Sequence, residues 1–417
     1  MAEAAGVAGA TDAGLNPSAV ICLLQSNHFM KKKNKDSALV NRLSAVALTL
    51  PGLVQQADAG RIDESYDLDF QYGHYSESDD RMEADVFQGA LSAPLGRSMT
   101  ASINLVRDTL SGASPMFNFR DRQGQIRQIL SGATIREQRD AISADLTYFF
   151  DTVALGIGGG FSRENDYVSR FVNTNLSWDL NKKLTTLNFG ASVAFDEIEP
   201  TGESFRRSKT SQQYLLGISQ IVDRNTVIRS NITFGYHKGF LSDPYKKVLV
   251  EGKGLQSDTR PAHKFEWAWL AQYVHHFKPF NGAALHADYR FYNNDWGISA
   301  HTFEFSWNQP ILDGWQVIPR VRYYSQDEAD FYQPLLGRGS QATVFSSDYR
   351  LAGFGALSGG VKISKEFPRL GPLDQMKIQV GFEYYHRKSS YQLGGDGTGS
   401  FDDFNYYLVT ASINVKF

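Results

Sequence analysis

The sequence predicts an all-β fold. It is a transmembrane, antiparallel, up-and-down β-barrel of about sixteen strands (roughly fourteen to eighteen), with short periplasmic turns and long extracellular loops. Three observations predict it: long segments of strict period-two alternation, connections that are short and long in turn, and an unusual composition. The 417 residues include 28 Phe, 20 Tyr and 6 Trp, yet the chain is hydrophilic on average. A membrane barrel reconciles these properties, because half of each strand faces water while rings collect at the membrane interfaces. Other classes are excluded. With 42 Lys+Arg against 45 Asp+Glu there is no broad basic surface for nucleic acid. One cysteine rules out a disulfide framework and any multi-cysteine metal cluster. Beyond 43–53 no long uncharged apolar run exists for a helical span.

The first element is a leader. Residues 1–29 show no period and read as a disordered gene-model extension. Met30 then opens a basic stretch through Lys33 and Lys35, an apolar core follows at 43–50, and Ala57-Asp58-Ala59 closes it. A basic entry, an apolar core and an A-x-A exit describe a signal peptide over 30–59, with Ala57 and Ala59 at the cleavage site and Met30 as the expected start. The competing reading is a short buried helix. Residues 60–417 remain as one exported barrel without cysteine, since Cys22 goes with the leader.

The strands follow. Residues 184–196 place Leu187, Phe189, Val193 and Phe195 on one face and Asn188, Gly190, Ser192 and Asp196 on the other. The pattern recurs at 226–237, 263–277 and 375–387, where Trp267, Trp269, Ile378 and Phe382 oppose Lys264, Glu266, Lys377 and Glu383. Such segments start near 65, 82, 99, 134, 153, 167, 184, 211, 226, 263, 283, 297, 315, 347, 374 and 402. Short turns at 93–97, 150–152, 181–183, 223–225, 278–282, 308–314 and 367–373 alternate with longer polar connections. The longest of these are 111–132, 197–210, 238–262 and 325–346. No fixed repeat is present, which excludes a solenoid.

The last strand carries an assembly signal. Val409, Ala411, Ile413, Val415 and Phe417 share one face, and a terminal Phe on an alternating strand suits recognition by the outer-membrane insertion machinery. Three loop signatures stand out: Ser114-Pro115-Met116-Phe117-Asn118-Phe119, Asp243-Pro244-Tyr245-Lys246, and Arg260-Pro261 followed by Trp267-Ala268-Trp269. With them the chain resembles a proteobacterial family of exported outer-membrane β-barrel proteins known only as a domain of unknown function. The resemblance implies an address, the bacterial outer membrane, and no activity. A Pro-rich loop signature of this kind fixes loop conformation more readily than it binds a ligand.

Strand parity sends Arg229, Lys264, Glu266, Asp288, Arg290, Glu304, Arg320 and Arg322 into the lumen, with both signs in near-equal number, so no strong ion selectivity is expected. Glu304 and Arg320 lie diagonally across a turn, and Lys416 and Asp67 stand on the two strands that must meet to close the barrel. His276, His286 and Asp288 share the lumen face as a weak metal candidate. His74, His237, His263 and His386 fall near outer strand ends, but no His-x-Ser arrangement accompanies them, so no catalytic residue is assigned. Trp296, Phe331 and Tyr332 offer loop rings for carbohydrate stacking. The expected role is a channel or transport component with a mixed-charge lumen and no cofactor. The alternative is a non-conducting barrel in which loops 111–132 and 238–262 plug the mouth or dock a partner. An outer-membrane hydrolase is a third, weaker reading. Expected partners are outer-membrane lipids and the insertion machinery, with a small solute or a periplasmic partner as further candidates.

Overall fold

The computed structural model describes residues 65–78, 81–113, 115–130, 135–395, 401 and 403–417. The leader with Ala57 and Ala59 lies outside the described residues, as does Ser114. In chain order the strands are β1 (Asp67–Glu77), β2 (Met82–Leu95), β3 (Met99–Gly112), β4 (Pro115–Arg120), β5 (Ile126–Leu130), β6 (Ile135–Phe149) and β7 (Val153–Arg163). Then come β8 (Tyr167–Leu180), β9 (Thr185–Ile198), β10 (Arg207–Ile221), β11 (Thr226–Gly239), β12 (Lys247–Val250), β13 (Gly254–Ser257) and β14 (His263–Phe277). The last are β15 (Ala283–Asn294), β16 (Ser299–Pro310), β17 (Trp315–Gln326), β18 (Phe354–Leu370), β19 (Leu373–Lys388) and β20 (Phe404–Lys416).

All but β4, β5, β12 and β13 join in one closed barrel, each strand pairing with its neighbours in sequence. The seam is β1 against β20, antiparallel, with Asp67 opposite Lys416. Alternation builds the wall as expected. Ile157, Val172, Phe195, Val321 and Val380 point outward and are each more than half exposed, while Asn173, Ser177, Asn188 and Ser192 point inward and are buried. Among the described residues no helix is long and apolar enough to cross a membrane. Inward glycines let neighbouring side chains lie flat on the wall: a Cβ added at Gly158 of β7 would sit 1.9 Å from Oδ1 of Asp145.

Two details differ from the sequence expectation. The long connections are not featureless: β4–β5 and β12–β13 are two-stranded sheets of their own above the barrel. The strand expected from 347 begins instead at Phe354, because Asp348 starts a turn rather than a strand. Its carboxylate accepts the Arg350 N–H at 3.1 Å and caps a short 3-10 turn, Tyr349–Leu351. Residues 327–353 are thereby released from the wall and fold into the outer mouth.

Candidate functional site

The interior has two layers. In the periplasmic portion the wall is polar. Arg320 reaches Glu304 at 3.6 Å and Glu383 at 3.2 Å, so the diagonal pair expected from the sequence forms and gains a second carboxylate. Gln272 donates to Asp288 at 3.0 Å, and Arg229 to the Ser219 hydroxyl at 3.2 Å. At the seam Lys416 lies 3.2 Å from Asp67, and the Asn414 amide donates to Asp67 and Asp69. Arg290 and Arg322 also face this layer, Arg290 with its guanidinium 5.5 Å from the Tyr292 ring. Lys264 and Glu266 stand higher, where Glu266 accepts from Lys264 at 2.8 Å and from Tyr292 at 2.7 Å. These pairs brace the wall from inside.

The outer layer is packed like the core of a soluble domain. Leu351, Ala352, Phe331, Tyr332 and Ala329 of the 327–353 segment meet the inward side chains of β1–β3 and β14–β20, among them Tyr75, Val86, Leu110, Tyr292, Tyr324, Tyr385 and Leu408. Trp296, Phe331 and Tyr332 are part of this core at 6%, 8% and 4% exposure, so they are not free for carbohydrate stacking. The loop that enters the barrel is therefore 327–353, whereas 115–130 and 238–262 cover it. Phe345 and Thr259 exchange backbone hydrogen bonds at 2.8 and 3.0 Å, and the Leu336 N–H reaches Leu249 O at 3.1 Å. The Ser347 hydroxyl donates to Lys247 O at 2.9 Å, and Lys246 Nζ donates to Pro115 O.

The loop signatures converge on one buried charge cluster. Arg260 donates to Asp258 at 2.7 Å and to Asp348 at 2.8 Å. Arg350 grips the same Asp348 from Nε at 2.9 Å and Nη2 at 2.5 Å, and reaches Asp243 at 2.8 Å. Burial alone would raise the Asp348 carboxyl, but Arg350, Arg260 and Lys246 hold it far below the usual carboxylate range. Pro244 and Pro261 stiffen the chain beside Asp243 and Arg260, and Lys246 ties Pro115 to the same cluster. Asp258, Asp348 and Arg350 were not singled out by sequence reasoning. An Asp two residues before an Arg, in both 258–260 and 348–350, was the available signal.

Beneath this lock lies Arg387, fully buried in an aromatic cage. Its Cζ is 4.0 Å from the Phe404 ring centroid, 4.5 Å from Tyr349, 4.6 Å from Phe401 and 4.9 Å from Phe354. None of its three guanidinium nitrogens has a hydrogen-bond partner among the described residues. Arg81 and Lys246 also face the Tyr349 ring, at 5.5 and 5.4 Å, so the plug presents one ring to three cations.

The metal and catalytic candidates do not assemble into sites. Among the described residues no three His, Cys, Asp or Glu side chains form a group that could hold a metal. The register sets His276 opposite Ala284 and His286 opposite Val274, and the Asn308 amide occupies His286 Nε2 at 2.8 Å. His237 sits between the Ser211 hydroxyl (2.9 Å, at Nδ1) and Glu266 (3.0 Å, at Nε2), a hydroxyl–imidazole–carboxylate chain. Ser211 is fully buried, however, and Glu266 is already neutralised by Lys264, so this chain presents no accessible nucleophile. His74 faces outward against Asp85, and His386 meets the Asn405 side chain.

A closed sixteen-strand wall with an apolar exterior and a polar, ion-paired interior defines an outer-membrane β-barrel, which places the protein in the bacterial outer membrane. More particularly, the chain belongs to the family described as a protein of unknown function (DUF3570), whose model matches residues 40–408. Comparison with curated proteins finds no match. Among solved structures it is similar to CdiB from Acinetobacter baumannii, with 10% identity and a TM-score of 0.48 over 85% of this chain. The alignment spans 60% of the length of that chain. A bacterial polysaccharide outer membrane secretin gives 7% identity and a TM-score of 0.46 over 85% of this chain and 99% of that one. The outer membrane protein opdK from Pseudomonas aeruginosa gives 10% identity and 0.40 over 85% and 99%.

Proposed function

We propose that this protein is a transport component of the outer membrane whose outer mouth is held shut by its own 327–353 segment. The observation that carries the reading is the lock on Asp348, which joins the 240–262 and 327–353 loops over the polar lumen through Arg260 and Arg350. Displacing the plug would expose a passage lined by both signs of charge, including Arg229, Arg290, Arg320, Glu304 and Glu383, with little preference between small anions and cations. No chemical reaction is part of the proposal. In planar bilayers the wild-type barrel is expected to be silent, and a variant with 329–351 replaced by a short Gly/Ser linker is expected to give conductance steps. A wild type that conducts steadily contradicts the plug. A silent plug-less barrel contradicts transport and leaves the second reading, a non-conducting barrel that holds its loops out to a partner. That reading is favoured by the tight inner wall, where Arg229, Asn173 and Ser177 are 2%, 4% and 3% exposed.

A further inference from the structure

The outer rim of the barrel is electrically lopsided. On the sector from β7 to β11, the exposed charges at and just beyond the outer strand ends include Arg163, Arg170, Arg206, Arg207 and Lys238. Glu197, Glu199 and Glu203 oppose them, and Glu197 is shared between Arg170 (3.4 Å) and Arg206. Across the barrel, on the sector from β14 to β20, the corresponding described residues include Asp295, Asp327, Glu328, Asp330 and Asp403, with Lys388 and Arg338 as their cations. Lys388 lies 3.4 Å from Asp403.

The basic sector also has a particular depth. Arg170 pairs in register with Phe161 on one side and Phe195 on the other. Both phenylalanines point outward and are exposed, at 38% and 54%. Below them on the same face stand Ile157 and Val172, at 64% and 56%. A guanidinium set between lipid-facing rings at the upper edge of the apolar belt sits where hydrocarbon gives way to headgroups. It is 60% exposed there, open to an outside ligand. Planar guanidinium groups bind phosphate oxygens in pairs, and several side by side select a doubly or multiply phosphorylated headgroup.

We infer that the β7–β11 rim, centred on Arg163, Arg170 and Arg206, binds a phosphorylated glycolipid of the outer leaflet, its acyl chains lying against Phe161, Phe195, Ile157 and Val172. The β14–β20 rim offers no comparable arginine cluster, so the lipid occupies one side of the barrel. This site lies on the outside of the wall and does not depend on whether the lumen conducts.

The test uses the folded full barrel in detergent micelles, titrated with purified lipopolysaccharide, with enzymatically dephosphorylated lipopolysaccharide and with phosphatidylglycerol, and bound lipid counted by native mass spectrometry. Wild type is expected to retain the phosphorylated glycolipid, less so at high salt, and the R163Q/R170Q/R206Q variant to lose affinity by about tenfold or more. Single R170Q should lose part of it, which keeps the test informative if the triple variant folds poorly. D327N/D330N, on the opposite rim, should leave binding unchanged. Equal retention of the dephosphorylated form, undiminished binding by both arginine variants, or preference for phosphatidylglycerol would each overturn the assignment.

Discussion

The two ends of this barrel interior solve one problem with different chemistry. At the periplasmic end, inward side chains are polar and meet across neighbouring strands, as Arg320 meets Glu304 and Glu383. At the outer end they are apolar and wait for a partner from outside the wall, as Tyr75, Val86 and Leu408 wait for Leu351 and Phe331. The first arrangement is complete once the strands pair. The second is complete only when 327–353 folds back, so it adds a separable unit to an already closed wall.

That difference can be broken or sharpened by substitution. The largest effect is expected for Leu351→Asp, which puts an unpaired charge into a fully buried site and costs several kcal/mol. Protease should then cut the outer loops while the barrel keeps its resistance to heat in detergent. Protected loops would mean that the outer layer is not a separable unit. Asp348→Ala comes next: it strips the shared carboxylate from buried Arg260 and Arg350, at about 3–5 kcal/mol. Hydrogen exchange should quicken in 243–261 and 345–352 and stay unchanged in β7–β9.

In the lower layer, Arg320→Ala should cost less, about 1–3 kcal/mol, because Glu304 remains partly open to solvent when its partner goes. The denaturation midpoint of the whole barrel, rather than loop protection, is the readout. Arg387→Met should change loop stability by no more than about 1 kcal/mol. Lost cation–π attraction is offset by relief of a buried guanidinium that makes no hydrogen bond among the described residues. A loss as large as that of Asp348→Ala would make the cage, not the lock, the main restraint. The most local effect is one of pH. In the loop between β7 and β8, burial pushes the Glu164 carboxyl up to about 8, with Arg139 opposing and Asp108 and Asp166 reinforcing the rise. A carboxyl raised in the folded state favours the fold when protonated. The loop should be firmest below the ordinary carboxyl range and loosen as pH climbs through about 8. Glu164→Gln should abolish that dependence in exchange measurements on 164–166.

The wall was readable because alternation repeats over a dozen residues and a shift of one residue would turn every apolar side chain inward. The expected starts at 82, 99, 153, 167, 226, 263, 283 and 315 coincide with the observed ones. The plug was not readable from the same rule, because its residues obey no period and its contacts join residues far apart in sequence, as Asn118 joins Ser347. Its trace was present in the strands all the same. Phe291-Tyr292, Tyr323-Tyr324, Tyr384-Tyr385 and Tyr406-Tyr407 are aromatic doublets near outer strand ends. One ring of each faces lipid and the other is buried within, which violates the polar-inside expectation where the plug docks. The lock escaped for a related reason: Asp258 and Asp348 read as ordinary loop acids until the fold sets them on one arginine.

A mouth sealed by the chain itself has a consequence for the envelope that carries it. Each copy of an unobstructed barrel adds a fixed leak, so its abundance is limited by how much passive entry of toxic molecules the cell tolerates. A barrel that is shut at rest uncouples the two. On the transport reading proposed above, copy number can rise without eroding the permeability barrier, and entry is set by how often the 327–353 segment lets go rather than by how many barrels are present.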